Sequence, residues 1–519
     1  MHPALNRGFR KWAIGGGAPI VLGVVCIALV EPRLGPYIQA RAVNTLRERF
    51  NGDVTIDDFH VSLFPSIAIT GGRLVLRPKG RTDVPPLISI RKFSAEAGLL
   101  ELVRSPTHVR STRLEGLKIQ VPPSEKRSRP PEPKKKRQLY PAVIDELVTG
   151  DAELVILRDP LRDPDKEPLR FQIHRLTMHT VGLDRPAPFE ATLGNPRPRG
   201  EISTAGQFGP WHAEDPGQTP LAAAYTLENA GMAVFRGLGG MLSSTGRFGG
   251  MLNTIVADGK TSTPDFRLGF VDRPVPLETT FDALIDGMNG NTLLTPVRAQ
   301  LLHSAFVVNG GVVGKPGVRS RAVVLNVVSQ QARIEDLLRL AVKSNQPPLT
   351  GAVHFQSEVE IPPGDAEVLD RMKLDGRFGL GAARFTQLDV RRKLQALSRG
   401  GQGQPENANA GSAVSNLSGR FKMANGVVSF SNLTFGVPGA SIFLNGMYAL
   451  RAETLDFHGT LRLEAKLSET TTGLKSVLLK VLDPLFRKKG AGAVVPIRIT
   501  GTRSNPSFGL DVGRVLGGK

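Results

Sequence analysis

Residues 454 to 467 read TLDFHGTLRLEAKL, and from Leu455 onward apolar and polar residues alternate without a slip. Leu455, Phe457, Gly459, Leu461, Leu463, Ala465 and Leu467 share one parity, and Asp456, His458, Thr460, Arg462, Glu464 and Lys466 share the other. Successive side chains of a strand point to opposite faces, so the spacing predicts a long strand with one greasy face and one wet one. The greasy face must be covered, either by a second sheet or by hydrocarbon chains.

Shorter stretches repeat the pattern. In VTIDDFHVSLFPSIAITGGRLVL, Val54 and Ile56 lie on one parity and Phe59, Val61 and Leu63 on the other, and the change of phase at Asp57-Asp58 predicts a bulge. Ile67 and Ile69 keep that phase, and Gly71-Gly72 reads as a hairpin turn into Leu74 and Leu76. Alternation returns at Phe171-Ile173, Leu433-Phe435-Val437, Ile442-Leu444, Ile497-Ile499 and Phe508-Leu510-Val512, while Asn425-Gly426 is a strong hairpin signal. Gly and Pro, 57 and 39 of 519 residues, exceed their usual share of about 12%, which fits many turns. With 40% hydrophobic residues the chain can bury a large core.

A charge-free apolar run, AIGGGAPIVLGVVCIALV, extends from Ala13 to Val30. As a helix rising about 1.5 Å per residue it covers roughly 27 Å, just short of a hydrocarbon core of about 30 Å. It is expected to be an uncleaved transmembrane anchor, with a signal peptide as the alternative. The small-residue cleavage pattern is missing, and Val25 before Cys26, the lone cysteine, does not suit a lipoprotein signal. Arg7, Arg10 and Lys11 precede the run, so the positive-inside rule keeps residues 1–12 in the cytoplasm and exports the chain after Val30, in a bacterium into the periplasm.

Helices are expected to be few. RLGPYIQARAVNTLRERF, from Arg33 to Phe50, reads as an amphipathic helix at the membrane surface, and helical spacing recurs from Ala332 and from Val390. In the segment 473–486, Leu474, Val477, Leu478, Val481, Leu482 and Leu485 follow the i, i+3, i+4, i+7 rule. Its basic flank, Lys475, Lys480, Arg487, Lys488 and Lys489, suits an anionic membrane, though capping one end of the sheet is the preferred reading. The net charge of +19 is partly local: Ser124 to Arg137 holds seven basic residues and two acidic ones, +5 in one Pro-rich linker. Such a run is ordinarily a solvated loop, or else attracts acidic lipid headgroups. With only 6% aromatic residues and an export signal upstream, nucleic acid is not an expected partner.

Catalytic patterns are mostly absent. The ADGKT segment at 257–261 imitates the end of a phosphate-binding loop, but the required earlier glycine is Thr254. His174 and His179 lack zinc-ligand spacing, no cysteine pair exists, and no G-x-S-x-G elbow occurs. Neither an enzyme nor a cofactor nor a metal is expected.

The order of these features resembles the AsmA family of bacterial envelope proteins. Phe64-Pro65, Gly72 and Leu76 stand where that family has F-P-x-x-x-x-x-x-G-x-x-x-L, and Val495-Pro496-Ile497, Gly501 and Asn505-Pro506 match its closing strand and turn. In the middle, Gly206, Phe208-Gly209-Pro210 and Gly246-Arg247-Phe248 also resemble family members. The basic linker is not part of the family pattern. The resemblance implies a mainly β fold, a long twisted antiparallel-rich sheet curved into a hydrophobic groove, with few short helices and one N-terminal transmembrane helix. It implies an inner-membrane-anchored protein moving phospholipid between inner and outer membranes. With twenty to twenty-five strands about 4.8 Å apart the groove would run roughly 100 to 120 Å. The expected divisions are an anchor at 13–30, an N-terminal β region at 31–123, the linker at 124–138 and the main groove at 139–519. Candidate lipid-facing residues are Ile67, Ile69, Leu74, Leu76, Leu455, Phe457, Leu461, Leu463, Leu467, Ile497 and Ile499. Outer-membrane or periplasmic proteins are candidate partners, and a scaffold handing nascent outer-membrane strands along exposed sheet edges is the alternative function.

Overall fold

The computed structural model describes residues 35–48, 50, 52–63, 67–78, 85–98, 107–121, 142–157, 168–182, 185–212, 215–314, 318, 320–386, 414–463 and 494–511. The expected anchor at 13–30, the linker at 124–137 and the helices expected from Val390 and at 473–486 lie outside the described residues. Among the described residues no helix is long and apolar enough to cross a membrane.

The protein is mainly β, and among the described residues the strands join into one 29-stranded sheet. The first eight are β1 (Gly52–Ile56), β2 (His60–Ser62), β3 (Ile67–Gly71), β4 (Leu74–Pro78), β5 (Ile88–Ile90), β6 (Lys92–Ala97), β7 (Thr107–Glu115) and β8 (Lys118–Val121). They are halves of four kinked strands. β3 pairs with β2 and β6, whereas β4 pairs with β1 and β5. Gly71-Gly72 is therefore a kink inside one strand, not the hairpin turn that the glycine pair suggests. Main-chain bonds hold the kinks in a line: Asp57 N–H to Arg73 O (3.0 Å), Gly72 N–H to Asp57 O (2.9 Å), Arg91 N–H to Glu115 O (3.0 Å) and Glu153 N–H to Leu117 O (2.9 Å). Asp58 at φ 50° takes the left-handed backbone that the expected bulge requires, and Gly116 does the same at φ 64°.

Next in the chain is β9 (Ala142–Ile156), which runs parallel to β7 and β8, lying end to end along one of its edges. These are the parallel pairings among the described residues; each other pairing is antiparallel. Val121 and Ala142 accordingly sit at opposite margins of the sheet, and the ladder continues across the segment between them.

From β9 the chain runs on as a meander: β10 (Leu169–Val181), β11 (Ala187–Pro196), β12 (Arg199–Phe208), β13 (Pro220–Gly231), a short β14 (Leu238–Gly239), β15 (Met241–Met251), β16 (Thr254–Leu268), β17 (Val275–Ile285), β18 (Thr292–Leu301), β19 (Ser304–Gly314) and β20 (Arg321–Arg333). It continues through a short β21 (Leu349–Thr350), β22 (Ala352–Ile361), β23 (Lys373–Phe385), β24 (Val414–Ala424), β25 (Val427–Val437), β26 (Ala440–Ala449), β27 (Thr454–Leu463), β28 (Val494–Thr502) and β29 (Pro506–Leu510). Asn425 and Gly426, at φ 52° and 70°, form the two-residue turn expected of them between β24 and β25.

Among the described residues three α-helices interrupt the sheet. The first, α1 (residues 35–48), meets the expectation of a helix, but Val43 and Leu46 lie against Val54, Leu76 and Leu87, so its apolar side is turned to the sheet. The second, α2 (Ile334–Ala341), carries Glu335 and Asp336 in its first turn, where acidic groups suit the helix dipole, and packs Ile334, Leu337 and Leu340 onto the sheet. The third, α3 (Val368–Arg371), is a single turn between β22 and β23.

Candidate functional site

Directly opposed residues on neighbouring strands share a face, so the pairing register can be followed from strand to strand. One row starts Gly71, Phe93, Leu114, Thr149, Leu176, Ala191, Thr204, Tyr225, Gly246, Gly259, Phe281. It goes on Val297, Val308, Val327, Ser357, Gly376, Phe421, Phe430, Gly446, Phe457, Ile499, Phe508. No member is charged. Twenty-one steps of about 4.8 Å make this uncharged row roughly 100 Å long. The neighbouring row, on the other face, includes Arg113, Glu190, Arg247, Asp258 and Asp282.

Glycines stand directly opposite aromatics at several points of the apolar row for a steric reason. A Cβ on Gly259 would stand 3.0 Å from the Phe281 ring, one on Gly376 2.7 Å from that of Phe421, and one on Gly446 2.6 Å from that of Phe457. Each ring lies over the bare backbone of its partner, the arrangement by which aromatic residues compensate for glycine in a curved sheet. The rings also meet one another, Phe378 with Phe421 at 6.2 Å and Phe430 with Phe457 at 5.8 Å between centroids. Along this row the residues from Leu176 to Val327 are all half-buried, as are Gly376, Phe421, Phe430, Gly446, Phe457 and Ile499.

The margins are covered in several places by distant parts of the chain. Trp211, between β12 and β13, joins α1 over Val54, Leu76 and Leu87. Phe270, between β16 and β17, packs against the buried cluster of Leu369, Met423 and Leu450, at the opposite ends of strands β23 to β26. The sheet therefore winds round until strand ends far apart in the ladder meet. Asp336 fixes α2 in place: its carboxylate, 3% exposed as a residue, accepts the Ser304 hydroxyl (2.8 Å) and the His303 N–H (3.0 Å). Burial, then the nearby Glu453 charge, pushes the Tyr448 phenol up to about 12.

Register and cover sort the sequence-predicted residues. Leu455, Phe457, Ile497 and Ile499 lie half-buried on the apolar face, with Phe457 directly opposite Ile499. Ile69 and Leu74 are half-buried against the cluster formed by Phe93, Leu114 and Ile173. Ile67 and Leu76 are closed off, at 2% and 1% exposure, Leu76 beneath α1 and Trp211. Leu461, at 8%, belongs to a core cluster with Ile442 and Val495. Leu463 pairs with Ala440 at the end of β27, and Leu467 lies outside the described residues. The reading of the sequence missed the middle of the row, above all Phe281, Phe421 and Phe430. Each sits in an alternating run, yet only the register shows that they form one line.

Two other features were candidates for chemistry. The ADGKT segment lies inside β16, paired on both edges, where no phosphate loop can form. A cavity of about 780 Å³ opens on the polar face between Lys260, Thr280 and Arg298 on one side and Ser262, Glu278 and Gln300 on the other. It is a channel between rows of outward side chains and does not meet the apolar row, so the register and exposure of that row identify the site better than cavity size does. Among the described residues no group of three metal-ligating side chains occurs. No protein-family model, curated protein or solved structure matches the chain.

Proposed function

We propose that the protein is an envelope lipid-transfer protein whose apolar face forms a trough for phospholipid acyl chains between the inner and outer membranes. In this reading residues 13–30 anchor it in the inner membrane, and a lipid lies with its chains on the apolar row and its headgroup in water. The observation that carries the proposal is the uncharged row from Gly71 to Phe508, which stays half-buried over most of its length and whose residues from Ala191 to Val297 belong to none of the buried clusters among the described residues. A protein core buries such phenylalanines fully; a surface awaiting hydrocarbon leaves them partly bare. Burying each methylene is worth about 0.8 kcal/mol, so a floor as apolar as the bilayer makes extraction nearly neutral, and direction then comes from a gradient or a partner.

Native mass spectrometry of the detergent-extracted chain tests this. Bound phospholipid is expected, and the pair Phe189→Asp with Phe248→Asp should abolish it while the protein stays folded. These half-buried residues belong to none of the buried clusters among the described residues and serve better than Leu461, Phe457 or Ile499, which lie in or against one. Co-purification of unfolded barrel proteins without phospholipid would instead favour the scaffold function.

A further inference from the structure

The trough is belted at its middle. The loop between β13 and β15 meets the loop holding α3: the Val368 N–H donates to Arg236 O (2.9 Å), and Arg236 Nη1 donates to Asp365 O (2.9 Å). The ladder path between them, β13, β15, β16, β17, β18, β19, β20, β22, has seven steps, about 34 Å along the sheet. These loops also sit at opposite strand ends, so their contact crosses the open side of the trough. A second crossing runs through Lys343, on the margin of α2, whose N–H donates to Glu453 (3.1 Å) and whose Nζ donates to Arg451 O (3.2 Å). Within each margin the contacts are braced: Arg451 pairs with Glu367 and with Asp370 (3.1 Å), and Arg273 donates to Lys343 O and to Asn345 Oδ1, both at 3.1 Å. Beneath these polar groups sits the Phe270 plug.

We propose that this belt is a gate for the lipid headgroup; the inference rests on the lipid-carrying reading above. Acyl chains on the apolar row meet the Phe270 side chain beneath the belt, and a charged headgroup projecting from the slit meets the belt itself. Pulling the headgroup inside would desolvate an anion with no cation on the row to receive it. Passage from the Phe189 side to the Phe457 side therefore requires the belt to part. Its construction suits opening: the crossing side-chain bonds, from Arg236 to Asp365 O, from Lys343 N–H to Glu453 and from Lys343 Nζ to Arg451 O, are all exposed, and exposed polar contacts are individually weak.

A disulfide can lock it. A Cβ built on Gly237 lies 3.5 Å from the Glu367 Cβ, within the usual disulfide range of about 3.5–4.5 Å. The full-length chain with Cys26→Ala, Gly237→Cys and Glu367→Cys, carrying a photo-crosslinking residue at Phe189 or Phe457, is supplied with labelled phosphatidylethanolamine vesicles under reducing or oxidising conditions. When reduced, both positions should acquire lipid. Oxidised, labelling at Phe189 should persist while labelling at Phe457 falls at least about tenfold. Equal labelling at Phe457 in both states would overturn the gate and leave the trough standing; no labelling at either position when reduced would remove both. Because a side chain at Gly237, φ +88°, is strained, Arg236→Ala combined with Lys343→Ala, which removes the crossing side chains, provides an independent test without a cysteine. It should speed arrival at Phe457, and an unchanged rate would also overturn the gate.

Discussion

The stretch from β11 to β16 and the stretch from β17 to β28 share one apolar row, but they are covered differently. In the first, the large apolar-face residues Phe189, Ile202, Leu221, Leu227 and Phe248 are all half-buried, and the fully buried apolar residues there are alanines, Ala187, Ala223, Ala230 and Ala257. In the second, Val275, Leu301, Phe306, Val353, Leu380, Leu417 and their neighbours form one buried cluster, extended by α2. The strands are built alike. What differs is whether a helix or loop of the same chain lies on them, so burial in this protein reports cover more than sheet formation.

The largest test of that contrast is a matched pair. Phe306→Ala, in the covered stretch, should cost about 3–5 kcal/mol, while Phe189→Ala should cost less than half as much because much of its surface already faces water. Urea unfolding of both variants decides it, and equal losses would break the comparison. Next is Asp336→Ala, which strands the Ser304 hydroxyl and the His303 N–H; about 1–3 kcal/mol should be lost, with hydrogen exchange rising first in α2. Gly206→Ala and Gly446→Ala sharpen the comparison from the other side. Their Cβ atoms would stand 2.1 Å from Ala222 O and 2.4 Å from Asp456 O, so both should lose about 1–3 kcal/mol in thermal unfolding, showing that the sheets themselves are equally crowded.

The smallest expected effect lies outside both stretches, at Glu153. Hydrogen bonds first from Arg170 (2.7 Å) and then from Lys118 (3.1 Å) hold its carboxyl below the usual range against the opposing effect of burial. A depressed folded-state value adds stability above the unfolded value of about 4.3 and loses it as pH falls through the lower folded value. Glu153→Gln should therefore flatten the acid limb of the stability curve by no more than about 0.5 kcal/mol, since both cations are well exposed.

The alternation from Leu455 to Leu463, the Asn425-Gly426 turn and the helix beginning near Ala332 could be recognised from the residues alone, because period and turn chemistry are local. The kink at Gly71-Gly72 could not, since a glycine pair permits a hairpin and a break within one strand equally well. Its partners, β2, β6, β1 and β5, decide the matter. Burial of Leu76 was also out of reach: its cover includes Trp211, more than a hundred residues away. The apolar row itself is a property of register, so its members were visible one strand at a time and never as a line.

The parallel joint between β7–β8 and β9 has a consequence for assembly. Most strands after β9 pair with a close predecessor and can zip up as the chain emerges N-terminus first. Strand β9 must instead find its neighbours across residues 122–141, as β24 and β28 must across the still longer stretches 386–413 and 464–493, and closing such a gap is an entropic delay that local hairpins avoid. The first four kinked strands should thus form an early, separate nucleus, and docking of β9 onto it is the first of three slow steps in making the whole sheet.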